Sequence, residues 1–232
     1  MLNVLKPIKY FFDLIYPELC EICNKSLVRG EKLICSNCRI DIPLTRNWHE
    51  RENSVEQIFW GRAPVVAATS YFFFARGSKY RILLHKLKYA GRADIGVTLG
   101  LWFGNELAAS KRFSDIDCII PVPLHPAKQK SRGYNQSEKI CEGLSIALNK
   151  PVDIKTVIRS AFTNTQTQKN RMERWHNVSN VFEIINPEKL KNKHVLLVDD
   201  VLTTGATLEA CCNAILSNAD CRISIATLAF AH

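Results

Sequence analysis

At 232 residues the chain has room for one large domain or a medium domain with a small module, and 47% hydrophobic against 23% charged residues implies a globular protein with a sizeable core. No apolar run approaches the ~20 residues of a membrane helix, so no membrane span is expected. The net charge of +9 is unevenly placed: residues 1–55 are nearly balanced, while the stretch from Arg76 to Arg92 holds six basic residues and no acidic one. Basic segments of this kind suit a polyphosphate ligand or a nucleic acid, and charge alone does not choose between the two.

At the start, Leu5, Ile8, Phe12 and Ile15 fall on one face of an expected helix, with Pro7 near its first turn. Lys6, Lys9 and Asp13 interrupt the apolar pattern and no small-residue cleavage site follows, so this is not expected to be a secretion signal. Packing against the rest of the protein accounts for that face better than membrane contact. Nine cysteines without an export signal point to reduced thiols and a cytoplasmic protein.

Four of those cysteines form Cys20-x2-Cys23 and Cys35-x2-Cys38. Each pair makes a tight knuckle presenting two sulfurs, and the intervening LVRGEKLI, turning near Gly30, is long enough for a small hairpin. Four sulfurs in tetrahedral array select structural zinc over harder cations. A redox dithiol would normally open a helix in a thioredoxin-like unit, which this segment lacks. Cys118, Cys141, Cys211, Cys212 and Cys221 lie in apolar patterns and read as small core residues. The following RNWHERENSVEQ is polar and reads as a linker, with His49 facing solvent. The expected division is residues 1–60 for an N-terminal helix, a four-cysteine zinc ribbon and a linker, and residues 61–232 for a second domain.

In the second part, strand-like runs alternate with stretches of helical period, the pattern of a parallel α/β sheet with crossover helices. Strands are expected at 65–74, 116–122, 152–158, 181–185, 194–198 and 223–230, and helices at 79–89, 95–110, 135–149 and 206–218. The most informative segment is VLLVDDVLTTGAT, residues 195–207. An apolar strand delivers Asp199 and Asp200 to its C-terminal end, and a short Thr-Thr-Gly loop then opens a helix. Loop amides and a helix N-terminus take an anion, and the carboxylates stand where sugar hydroxyls can donate to them. Along a strand the two aspartates point to opposite faces unless the backbone turns. A Walker B strand would need a GxxxxGK[ST] loop, which the chain lacks, and a phosphatase nucleophile would want Asp-x-Asp spacing.

This segment resembles the 5-phosphoribosyl-1-diphosphate (PRPP) motif of type I phosphoribosyltransferases. The resemblance implies that Asp199 and Asp200 face the ribose hydroxyls or magnesium-bound water, as catalytic residues. It also implies that Thr203, Thr204, Gly205, Ala206 and Thr207 surround the 5′-phosphate. In IIPVPLHPAKQKSRGYNQS, residues 119–137, Lys128, Lys130 and Arg132 follow a strand end and a Pro-rich turn, where cations would hold the pyrophosphate half. The polar, basic stretch at residues 159–182 has the composition of a loop that closes over substrate, or of a surface excursion. From it Gln166, Arg171 and Arg174 are the expected contacts.

Taken in order, the two Cys-x2-Cys pairs, Leu87-Lys88-Tyr89-Ala90-Gly91, PVPLHP…RGYNQS, Gln166…Arg174…Asn177…Phe182 and VLLVDDVLTTGAT resemble the ComF family over almost the whole chain. The family pattern carries arginines where this chain has Ala127 and Lys128, and an apolar residue where it has Lys169. The resemblance implies a zinc-binding N-terminal module on a type I phosphoribosyltransferase domain, with zinc and magnesium as metals. It further implies a competence role in bringing single-stranded DNA across the inner membrane from its cytoplasmic side, beside inner-membrane DNA-uptake proteins. Two functions are expected. One is phosphoribosyl transfer from PRPP with pyrophosphate release. The other is a non-catalytic module that senses PRPP or binds single-stranded DNA, with Tyr134 and Trp175 placed among cations where bases stack. A glutamine amidotransferase is not expected, because no N-terminal cysteine nucleophile or glutaminase domain is present.

Overall fold

The computed structural model describes residues 17–75, 77–159 and 181–231. The N-terminal helix expected around residues 5–15 lies outside them. So do Gln166, Arg171 and Arg174.

The ribbon comes first. Asn24, at φ 58°, closes the first knuckle, with its amide on the Cys20 carbonyl at 2.9 Å. The chain turns at Gly30, where the Glu31 amide donates to Val28 at 2.9 Å. The short helix α1 (Ser36–Ile40) carries the second knuckle. The polar stretch after it is not a bare connector. Residues 47–49 form a 3-10 turn, α2 (Ser54–Gln57) is capped by the Asn53 side chain, and Trp48, Val55 and Phe59 are buried. Asn53 Nδ2 donates to the carbonyl of Ala68 at 3.1 Å, which stitches the stretch to the first strand. A polar sequence hides this because its few apolar residues point inward while its charges find partners far along the chain, as Glu56 does with Arg112 at 2.5 Å.

The sheet has the order β1-β6-β5-β2 and is parallel throughout, from β1 (Ala67–Phe74), β2 (Cys118–Pro121), β5 (His194–Leu202) and β6 (Arg222–Ala231). Buried on both faces, the central β5 needs an unbroken apolar run, and Val195, Leu196, Leu197 and Val198 are all fully buried. Their side chains alternate: Leu196 and Val198 face one core, Val195 and Leu197 the other. The first core holds helices α3 (Arg81–Tyr89), α4 (Ala93–Ala109) and α6 (Gln136–Leu148) together with Cys20, Cys35 and Cys38 of the ribbon. The second holds α7 (Ala206–Leu216), along with Val55 and Phe59. Helices α4 and α6 cross at glycines; a β-carbon on Gly143 would stand 2.1 Å from the Val97 carbonyl oxygen.

A short antiparallel pair, β3 (Val157–Arg159) and β4 (Phe182–Ile184), flanks the sheet. The strand expected at 152–158 is therefore split: Val152 makes one bridge to Ile119, and the ladder starts only at Val157. Besides the short α1 and α2, a seven-residue helix escaped the sequence reading. Residues Pro126–Arg132 form α5, with proline at its first turn and the His125 ring accepting from the Ala127 amide at 3.2 Å. Cys118, Cys141, Cys211 and Cys212 are buried core residues, as expected. Among the described residues no helix is long and apolar enough to cross a membrane.

Candidate functional site

The C-terminal ends of neighbouring strands β2 and β5 form the crevice where open α/β sheets take ligands. Strand β5 runs past Val198 and carries the acidic pair within the last part of its ladder, with Asp199 opposite Thr227 and Val201 opposite Ala229. Helix α6 begins beside it. Asn135 caps that helix through the Ser137 amide at 3.0 Å and donates its own amide to the Val122 carbonyl at 3.0 Å, fixing the helix start to the end of β2. Ser137 is thereby placed to donate its hydroxyl to Asp199 Oδ1 at 3.0 Å. Asp200 pairs instead with Lys88 Nζ, 3.0 Å away, so adjacent aspartates have separate partners, as side-chain alternation requires.

Both carboxylates nevertheless border one cavity of about 170 Å3, lined also by Lys88, Lys128, Arg132 and Arg159. Four cations against two acids make it electropositive. Burial and the neighbouring Asp200 push Asp199 up to about 7, against the opposing pull of the Asp200 amide, the Ser137 hydroxyl and Lys88. Helical period explains which of the expected cations arrive: Lys128 and Arg132 are four apart on α5 and share a face, while Lys130 is exposed and does not line the cavity.

The hook after β5 is a second, smaller cavity of about 40 Å3, bordered by Asp199 and by Thr203, Thr204, Gly205, Ala206 and Thr207. Gly205 precedes α7 at φ 76°, a conformation that favours glycine. Its close neighbour is protein: a β-carbon there would meet Ile58 Cγ2 at 2.9 Å. Arg62 braces the loop from outside, donating to the Thr204 carbonyl at 2.7 Å and pairing with Glu209. The first-turn amides of α7 have no partners within the helix, and Ala206, Thr207 and Leu208 border this hook, an arrangement suited to an anion. Asp199 and Thr207 border both cavities, so hook and electropositive crevice are contiguous.

Lys88, Ser137 and Arg159 were not singled out from the sequence. The available signals were the RGYNQS segment that Ser137 closes, the motif at residues 87–91 and the basic stretch that hold Lys88, and the polar, basic stretch from residue 159 that Arg159 begins.

The ribbon cysteines form a second site. The Sγ atoms of Cys20, Cys23, Cys35 and Cys38 all lie within 4.8 Å of one another, and Cys23 Sγ is 3.7 Å from Cys35 Sγ. A tetrahedral zinc with ~2.3 Å bonds needs sulfurs about 3.8 Å apart, so the four fit such an ion. Burial raises the Cys20 thiol, but the amides of Cys23, Cys35 and Ile22 outweigh it and hold the group at about 6. Burial and the other three sulfurs push Cys38 up to about 12. His49 is exposed and stands outside the cluster.

A parallel sheet flanked by helices, with an acidic strand end and a threonine-glycine hook at its ligand edge, defines a type I phosphoribosyltransferase fold. The family model described as "Phosphoribosyl transferase domain" matches residues 135–232. "DNA utilization protein YhgH" of Escherichia coli O157:H7 is 27% identical over 211 residues, covering 89% of this chain and 88% of that protein. "Competence protein F" of Haemophilus influenzae is 34% identical over 131 residues, 55% of this chain and 57% of its own. "Competence protein ComFC" of Bacillus subtilis is 28% identical over 200 residues, 86% and 72% of the respective chains. These relatives bear out the resemblance to the ComF family.

Proposed function

We propose that the crevice binds PRPP with magnesium and that the protein transfers its phosphoribosyl group to an acceptor with release of pyrophosphate. The observation that carries this reading is the contiguity of the two cavities through Asp199 and Thr207. An anion hook, an acidic pair and an electropositive cleft then lie in the order of a 5-phosphate, a ribose and a pyrophosphate.

In this reading the amides after Thr203 hold the 5-phosphate, and the carboxylates of Asp199 and Asp200 accept from the ribose hydroxyls. The bond from C1 to the pyrophosphate oxygen breaks as the acceptor's nucleophile bonds to C1. Both bonding electrons leave with pyrophosphate, and Lys128, Arg132 and Arg159 stabilise that charge. Hard carboxylate oxygens suit magnesium, which would supply further neutralisation of the leaving group. The four ribbon cysteines hold a structural zinc.

The names of the relatives, "DNA utilization protein" and "Competence protein", support a place in DNA uptake. We assign the protein to the cytoplasm, with single-stranded DNA and the inner-membrane uptake proteins as partners.

The test is ligand-dependent melting followed by a turnover screen. Magnesium with PRPP at a hundredfold excess over Kd adds about 2.7 kcal/mol and raises the thermal midpoint. Pyrophosphate release is then screened across bases, amines and oligonucleotides. Release that depends on an added acceptor and vanishes in Asp200→Ala supports transfer. A flat melting curve at millimolar PRPP overturns the reading.

A further inference from the structure

Helix α3 stands between the cysteine knuckle and the crevice and is tied to both. At its start the Tyr80 hydroxyl donates to the Cys38 carbonyl at 3.0 Å. Near its end Lys86 Nζ lies 2.6 Å from Glu21 Oε2, and Arg92, just past the helix, takes the other carboxylate oxygen. Glu21 belongs to the Cys20-x2-Cys23 loop itself, and its side chain is only 12% exposed. Two residues after Lys86 comes Lys88. Positions two apart on a helix diverge by about 200°, so Lys86 reaches the knuckle while Lys88 reaches the opposite way, to Asp200.

The helix between these anchors has little freedom. Leu83, Leu84 and Leu87 are buried, and the Tyr134 hydroxyl donates to the Leu87 carbonyl. Arg132, a lining residue of the crevice, lies 5.4 Å over the Tyr89 ring. The Lys88 ammonium is thus held at the acidic pair by contacts at the far side of its own helix. For a pair this buried, the cost of desolvating both charges offsets much of their attraction, so it is weak evidence for stability. Its position is what matters, because it adds a fixed cation where Lys128, Arg132 and Arg159 already exceed the acids.

We propose that α3 couples the cysteine knuckle to the ligand site: Glu21 and Lys86 position the helix end from which Lys88 binds the polyphosphate of an incoming sugar phosphate, leaving Asp200 to the ribose. This rests on the sugar-phosphate reading of the crevice. Lys88 is a binding residue and Glu21 a positioning residue. The cysteine module then sets affinity for the ligand without touching it.

The experiment is calorimetric titration of the full chain, with zinc supplied, using PRPP and ribose 5-phosphate as probes in magnesium buffer. Lys88→Met is expected to weaken PRPP about tenfold and ribose 5-phosphate less than about threefold, with Lys88→Arg recovering much of the loss. Glu21→Gln is expected to keep its zinc content and circular dichroism while PRPP weakens about threefold, again sparing ribose 5-phosphate. The Glu21→Gln/Lys88→Met double variant should be no weaker than Lys88→Met alone, since both act through one ammonium. Wild-type protein that binds neither probe overturns the sugar-phosphate reading and this proposal with it. If wild type binds PRPP but Lys88→Met loses nothing, or loses both probes equally, only the Lys88 assignment falls. Additive losses in the double variant overturn the coupling. Should Lys88→Met not fold, the Glu21→Gln comparison between the two probes decides.

Discussion

The Ser137 hydroxyl donates to Asp199 Oδ1 at 3.0 Å, joining the first turn of α6 to the end of β5 across the crevice floor. The bond, with the Asp200 amide at 2.8 Å, opposes a stronger effect: burial and the adjacent carboxylate raise Asp199 to about 7. An unfolded aspartate titrates near ~3.9, so the folded chain binds the extra proton between those values. Stability from this group is therefore full below pH ~4 and is lost as pH rises through 7. Asparagine keeps an oxygen for Ser137 without the charge. Asp199→Asn should exceed wild type by about 1–3 kcal/mol at pH 8, the gap closing toward pH 4, as read from urea unfolding across pH.

His194 produces the opposite slope. It opens β5 fully buried, with Nδ1 2.9 Å from Asp115 and Nε2 2.9 Å from Ser224. Burial lowers its pKa, and Arg222 beside it adds to this against the pull of Asp115 and Asp117. An unfolded histidine titrates near ~6.5, so the unfolded chain takes up the proton first as pH falls. Stability should decline from pH 7 toward 5, and decline less steeply in His194→Gln. Comparing each variant with wild type separates this slope from that of Asp199.

Metal removal should reach beyond the ribbon. Cys20, Cys35 and Cys38 share a core with Trp48, Tyr71 and Phe72, so loosening the knuckle opens one face of the sheet. Cys35→Ser should lose close to one equivalent of zinc by elemental analysis and lower the melting midpoint by about 10 °C, the equivalent of several kcal/mol in a chain this size. A fully folded protein with no metal and an unchanged midpoint would refute a structural zinc.

The α4–α6 crossing gives the sharpest packing test. A β-carbon on Gly143 meets three backbone atoms of α4, Val97 O at 2.1 Å and Leu101 N at 2.4 Å among them, and backbone does not rotate away. Gly143→Ala should cost about 1–3 kcal/mol despite alanine's better helix propensity. Because α6 carries Asn135 and Ser137, PRPP affinity should fall with it.

Much of the site was legible because it is contiguous in sequence. Asp199, Asp200 and the residues from Thr203 to Thr207 are one strand end and one loop, and the knuckles are pairs three residues apart. The strands around them could be read because a strand buried on both faces must be an unbroken apolar run. Helix α5 was missed because it is short, has no buried residue and so lacks an apolar face, and begins in a Pro-rich turn.

By itself, the sequence determined the α/β class, the cysteine quartet and the acidic strand with its hook, since each is set by local pattern: period, spacing or adjacency. Tertiary structure decided the rest. It alone brought Lys88, Arg159 and Ser137 to the acidic pair, turned Lys130 away, and packed Ile58 and Phe59 under Gly205. Those relationships depend on how separate elements cross in space, and crossings are fixed by side-chain volume and backbone approach, quantities with no signature in any one stretch of chain.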